Sequence, residues 1–288
     1  MLDAYFDASK REGGSFCVAG YAFGLDAAKK ATRDWKRVWG DIQCHMTDLS
    51  ANPPQGDFKD WASAKTKDHL ESSVPIINGW ASFGVAVSAN AAELAGFAPT
   101  ISDPDSKVML GGLRTPYAVC CHYAMASLRN LSGNADIAYF FEFGDKNQGE
   151  AEAFAKHVLS DREVARRLYG MRSYSILDAA DCRLFEMADI FAWEWAKHVE
   201  RDAARFPLDE NGQTRIRGSL RALLGDELHE AAGTNITSPT RRALHLTGQQ
   251  LERYYARVQQ LELLRDKPSE QALKWIERAI TTGELPPL

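Results

Sequence analysis

The stretch Leu2–Gly24, LDAYFDASKREGGSFCVAGYAFG, decides the fold. Its first half alternates: Leu2, Ala4 and Phe6 point to one side of an extended chain, and Asp3, Tyr5 and Asp7 to the other. A turn-rich KREGG follows, and then a second apolar run, SFCVAGYAFG. Two such runs around a glycine-containing turn read as a β-hairpin, so the chain opens with paired strands.

Working outward, residues 26–39 (DAAKKATRDWKRVW) have helical spacing, with Ala28, Ala31, Trp35 and Val38 on one side and basic residues on the other. A polar linker containing Cys44-His45-Met46-Thr47-Asp48 comes next, and Asn52-Pro53-Pro54 breaks the chain. Residues 57–79 read as a helix with Pro75 near its end, 81–89 as a third strand, 90–112 as loop and 114–131 as a buried helix. The run 135–143 reads as a central strand ended by Gly144. It is followed by a charged helix (147–169), a short strand (171–177) and a strongly apolar helix (183–203). Antiparallel strands followed by β–helix alternation predict an α/β fold with helices flanking a mixed sheet. Beyond Pro207 the composition turns more polar and helical. This divides the chain into a main domain over 1–206 and a mainly helical extension over 207–288 packed on it.

With 288 residues, 45% of them apolar and 25% charged, the chain can build a full core, and neither disorder nor a membrane class is indicated. No basic flank and long apolar segment precede Lys10, and no later run reaches spanning length, so the cytoplasm is the expected location. Five cysteines without a CxxC pair suggest neither a disulfide framework nor a zinc knuckle. A net charge of −5 gives no whole-molecule attraction to nucleic acid, so local basic patches would have to carry that role. Candidates are Lys10 with Arg11; the helix set Lys29, Lys30, Arg33, Lys36 and Arg37; Arg162, Arg166 and Arg167; and Arg215, Arg217 and Arg221 with Arg241 and Arg242. No GxSxG elbow, P-loop or GxGxxG turn is present.

Three acids lie inside apolar runs: Asp7 in LDAYFDAS, Glu142 in IAYFFEFGD and Asp189 in LFEMADIFAWEW. An ion drawn into the interior must be paired, hydrogen-bonded or metal-bound. Alternation puts Glu142 on one face of its strand with Ala138 and Phe140, opposite Ile137, Tyr139, Phe141 and Phe143. Glu186 and Asp189, three apart, share a helix face with Trp193 one turn on. Acids at the ends of two adjacent strands and on a helix packed across them can converge on hard cations such as Mg²⁺ or Mn²⁺. A pair of such cations about 4 Å apart would clamp the attacking and leaving oxygens of a phosphodiester. Taken singly, each acid is as readily an ordinary turn cap or ion-pair partner.

These residues carry a resemblance. The opening YFDAS, the strand FCVAGYAFG, HMTD after the first helix, FEFGDKNQGE and the late LFEMADIFAWEWAK resemble the bacterial "domain of unknown function 3800" family over roughly residues 3–200. The resemblance implies a ribonuclease H-like fold and a metal-dependent nuclease. It places catalytic, metal-holding acids at Asp7, Glu142 and Asp189, a histidine element at His45 with Asp48, and Asp145 beside the central acid. Ala8, Glu186 and Asp48 stand where the family pattern has Glu, Gln and Glu. Glu186 would then be an auxiliary group able to restore a ligand lost at Ala8. Lys146, beside Asp145, would reach a scissile phosphate, and His45 could protonate the leaving oxygen. The expected function is thus a Mg²⁺- or Mn²⁺-dependent phosphodiesterase acting on nucleic acid. The alternative is a non-catalytic nucleic-acid-binding or protein-interaction module that keeps the fold.

Overall fold

The opening hairpin forms as its alternation requires: β1 (Leu2–Lys10) and β2 (Ser15–Phe23) pair antiparallel, with Phe6 opposite Gly20. The computed structural model describes residues 1–11, 14–97, 113–144, 148–200, 216–225, 227–231 and 235–263. Around the hairpin grows a mixed sheet of eight strands in the order β5-β4-β1-β2-β3-β8-β7-β6. The remaining strands are β3 (Phe83–Asn90), β4 (Ile137–Glu142), β5 (Met171–Leu177), β6 (His229–Ala231), β7 (Asn235–Thr237) and β8 (Arg241–Leu246). β4 runs parallel to β1, and β5 parallel to β4. β3 returns antiparallel to β2, and β8 is parallel to β3.

Helices cover both faces. One layer holds α1 (Leu25–Trp39), α2 (Met46–Leu49), α3 (Ser63–Trp80), α8 (Leu184–Val199) and α9 (Gly218–Leu224). Their core includes Tyr21, Phe23, Trp35, Phe191 and Trp195. The other layer holds α4 (Ala91–Phe97), α5 (Pro116–Ser132), α6 (Gln148–Ser160), α7 (Arg162–Tyr169) and α10 (Gly248–Leu263). Its core includes Phe6, Phe16, Val18, Tyr139, Phe141 and Tyr254. Period-two alternation sorts neighbouring residues between the layers: Val18 faces α5 while Cys17 and Ala19 face α8. The central strand β2 is buried along its whole length, because each face has a helical layer on it.

Several readings need correction. Residues 90–112 are not all loop, since 91–97 form α4. The helix read over 57–79 is a 3₁₀ turn at Gly56–Phe58 followed by α3. The single helix read over 147–169 is two, α6 and α7, divided near Asp161. Within the stretch read as a helical extension, residues 229–246 supply β6, β7 and β8, and β8 hydrogen-bonds to β3 as part of the same sheet. β8 is short and opens with two arginines, RRALHL, so its basic start hides a strand of which Arg241, Ala243, Leu244 and Leu246 are buried. Residues 264–288, including the helical run SEQALKWIERAI, lie outside the described residues.

Gly20 marks the tightest packing in the sheet. A β-carbon built there would press into the Tyr5 carbonyl and come within 2.7 Å of the Phe6 ring. Gly79 in α3 has nothing within 4 Å. Gly20→Ala is therefore expected to destabilise the protein by about 1–3 kcal/mol through overpacking. Gly79→Ala is expected to stabilise it by roughly 0.5–1 kcal/mol, as glycine does poorly in helices. Urea midpoints of the two variants, moving in opposite directions, are the check.

Candidate active site

The parallel register between β1 and β4 sets Phe6 against Phe141, so Asp7 and Glu142 are the next residues along on neighbouring strands. Both side chains leave the sheet on the face covered by α8, as their strand neighbours Tyr5 and Phe140 show by stacking at 5.0 Å. α8 crosses β1 and β2 with Asp189 on its inner side, only 7% exposed. The three acids line one cavity of about 250 Å³, together with Ala8, Ser9, Lys10, His45, Thr47, Tyr117, Phe143 and Gly144.

Asp7 is the middle member. Its carboxyl feels both Asp189 and Glu142. Burial, then the charges of Asp189 and Glu142, hold Asp7 well above the usual carboxylate range. The Ala8 amide, 2.6 Å from Asp7 Oδ1, opposes this only in part. Burial also pushes Asp189 up to about 6, against the pull of the Met46 amide and the nearby His45.

The linker carrying His45 is fixed by α8. The Met46 amide donates to Asp189 Oδ2 at 2.7 Å, and the Cys44 amide donates to Glu186 Oε2 at 2.9 Å. Two carboxylates one helical turn apart thereby hold the backbone on either side of His45. Glu186 is 2% exposed, receives the Trp35 indole N–H at 2.7 Å as well, and lies 2.6 Å from Arg183. It is not among the cavity-lining residues, so the expectation that it replaces a ligand lost at Ala8 gives way to a structural one. Its Oε2 accepts from the Cys44 amide of the loop and from the Trp35 indole of α1. His45 itself is exposed and lines the cavity, with Nδ1 3.4 Å from Asp48 Oδ2. Asp48 stands behind the histidine, outside the lining.

Of the basic groups read from the sequence, Lys10 lines the cavity. Arg11 pairs with Glu200 at 3.0 Å, Arg33 and Arg37 with Asp34, Arg166 with Glu163, and Arg217 with Glu194. Arg241 is buried, donating to the Ala81 and Thr240 carbonyls. Asp145 and Lys146 lie outside the described residues, as does Arg215. Phe143, which alternation puts on the face opposite Glu142, lies just past the end of β4 and is 67% exposed.

The donor set suits a hard cation, being three carboxylates with no thiolate among the lining groups. Among the described residues, however, no group of three or more His, Cys, Asp or Glu is already spaced as a ligand cage. Among the described residues the five cysteines form no disulfide, and no helix is long and apolar enough to cross a membrane. No protein-family model matches the chain, and none of the curated proteins matches it.

Asp7 and Asp189 bind protons more tightly folded than unfolded, so in chelator the folded state holds more protons and stability falls as pH rises. The decline begins near pH 4, where unfolded aspartates ionise at about 3.9, and continues through about 6, the folded value of Asp189. Glu186, pushed up to about 7 chiefly by burial, adds a component of the same sign. Asp7→Asn keeps a hydrogen-bond donor toward Glu142 and Asp189 and removes the charge. It is expected to raise stability at pH 8 by on the order of 2 kcal/mol and to flatten, without abolishing, the slope. Melting temperatures of both proteins between pH 4 and 8 in EDTA supply the test.

Proposed function

We propose that the chain is a divalent-cation-dependent phosphodiesterase acting on nucleic acid, built on a ribonuclease H-like sheet. The observation that carries the reading is the meeting of Asp7, Glu142 and Asp189 in one cavity, with exposed His45 and Lys10 on its wall. The mixed sheet supports the reading in that β2 runs antiparallel to β1 and β3 while β4 and β5 run parallel to β1, with helices on both faces. In this reading β6, β7 and β8 extend that sheet beyond β3.

Asp7, Glu142 and Asp189 would hold Mg²⁺ or Mn²⁺, which on binding offsets their charge and stabilises the charge that develops on the phosphoryl oxygens. Lys10 draws the phosphate toward the acidic centre from the rim. His45, its backbone held by the two α8 carboxylates, is placed to give a proton to the departing oxygen, and Asp48 orients its ring. Glu186 acts through the loop and does not touch substrate. Water supplies the attacking oxygen, the phosphorus–oxygen bond to the leaving group breaks, and one product carries the phosphate.

Single- and double-stranded DNA and RNA are to be incubated with the protein in Mg²⁺ or Mn²⁺. Asp7→Asn is expected to lower cleavage by more than the ~10–100-fold that loss of an outer-shell partner costs. Glu186→Gln, which retains an acceptor for Trp35 and Cys44, is expected to stay within that range. A wild type that cuts none of these polymers, or an Asp7→Asn variant that cuts equally well, sinks the nuclease reading in favour of a binding module.

A further inference from the structure

The rim of the carboxylate cavity carries an exposed aromatic ring on a fixed backbone. Among the described residues the exposed large hydrophobics are Met1, Leu25 and Phe143, and Phe143, at 67%, is the aromatic one. It lines the same cavity as Asp7 and directly follows Glu142. A solitary exposed apolar side chain needs no explanation by itself, but the backbone that carries this one is hydrogen-bonded at and on either side of it. The Phe143 amide donates to the Leu177 carbonyl at 2.8 Å. On either side, the buried Gln148 side chain clamps the chain: its Nε2 donates to the Glu142 carbonyl at 2.7 Å, and its Oε1 accepts from the Gly144 amide at 3.3 Å. Gly144 then turns the chain away with φ +134°, leaving the ring standing at the mouth.

Cavity size says what the ring meets. At about 250 Å³ the cavity falls below the range of sites that enclose a whole small ligand, which is roughly 300–1,000 Å³. It has room for a phosphodiester group with its sugar, and the attached base must lie outside, where Phe143 offers a π-face and Lys10 a cation. We infer that Phe143 is a base-stacking platform, and hence that the site takes an unpaired nucleotide: the substrate class is single-stranded nucleic acid. A base inside a duplex is already stacked and paired, and bringing it onto the ring would cost a few kcal/mol of unstacking. Stacking on an aromatic side chain returns about 1–3 kcal/mol per base without regard to sequence. The inference deepens the phosphodiesterase reading and depends on it for the identity of the ligand.

The test is binding, separated from cleavage. Fluorescein-labelled 12-nucleotide single-stranded DNA and RNA, and the corresponding DNA duplex, are titrated by anisotropy against full-length Asp7→Asn protein, so that bound strand is not consumed. Phe143→Ala is added in that background, with Phe143→Trp as the rescue. Single strands are expected to bind tighter than the duplex, to weaken about tenfold on Phe143→Ala and to recover with Phe143→Trp, while duplex binding stays put. An oligonucleotide carrying abasic sites throughout should bind weakly and no longer feel Phe143→Ala. Equal single-strand affinity for the alanine variant, preference for duplex, or no binding to any polymer would overturn the platform. The two readings fail separately. Platform-dependent binding without cleavage by wild type in any cation removes the nuclease and keeps the platform. Cleavage that Phe143→Ala leaves unchanged in an otherwise wild-type chain removes the platform and keeps the nuclease.

Discussion

A carboxylate brought into a protein interior must find donors or a counter-charge, and α8 brings in three. Glu186, Asp189 and Glu194 are all buried on a helix whose other residues are nearly all buried too. Each solves the problem differently. Glu194 takes Arg217 at 3.1 Å and the Ser219 hydroxyl at 2.7 Å, which ties α9 to α8. Glu186 takes an indole and a backbone amide, tying the Cys44 loop and α1 to the same helix. Asp189 receives one amide and is otherwise left facing two more acids. A satisfied buried carboxylate is structural mortar; an under-satisfied one beside two others is where further chemistry can be accommodated.

At that centre burial and the charges of Asp189 and Glu142 act together to raise the proton affinity of Asp7. Raised proton affinity at buried acids costs the folded state stability as pH rises, the trade expected where charges are kept together for reasons other than stability. The three acids share a cavity among the described residues without standing as a ready ligand cage.

Much of this was legible in the sequence. The hairpin, the parallel strand bearing Glu142 and the helix bearing Asp189 follow from alternation and spacing, because period two and period 3.6 are imposed by backbone geometry alone. Two registers were enough to infer that Asp7, Glu142 and Asp189 share a face. Glu186 was legible as a buried acid and not as a loop anchor, since its partners Trp35 and Cys44 are far from it in sequence. At Phe143 alternation says which face a residue would occupy if the strand continued, and it does not say where the strand stops. β8 was hidden by its own composition, because Arg241 and Arg242 look like solvated charge until the first is seen stacked 5.3 Å over Tyr21 and bonded to carbonyls.

Ala8 stands where the resemblance would lead one to expect a glutamate, and the sheet shows which way a side chain at that position leaves it. Side chains at 7 and 8 leave β1 on opposite faces, Asp7 toward α8 and Ala8 toward the α5 core, where it packs. A glutamate at position 8 would enter the cavity from the Tyr117 side, away from Asp189 and His45. The three acids on the α8 side do not need it to meet, and nothing in their hydrogen bonding compensates for its absence. Ala8 and Tyr117 line the cavity from the α5 side, while Asp7, Glu142 and Asp189 meet in it independently of what stands at position 8.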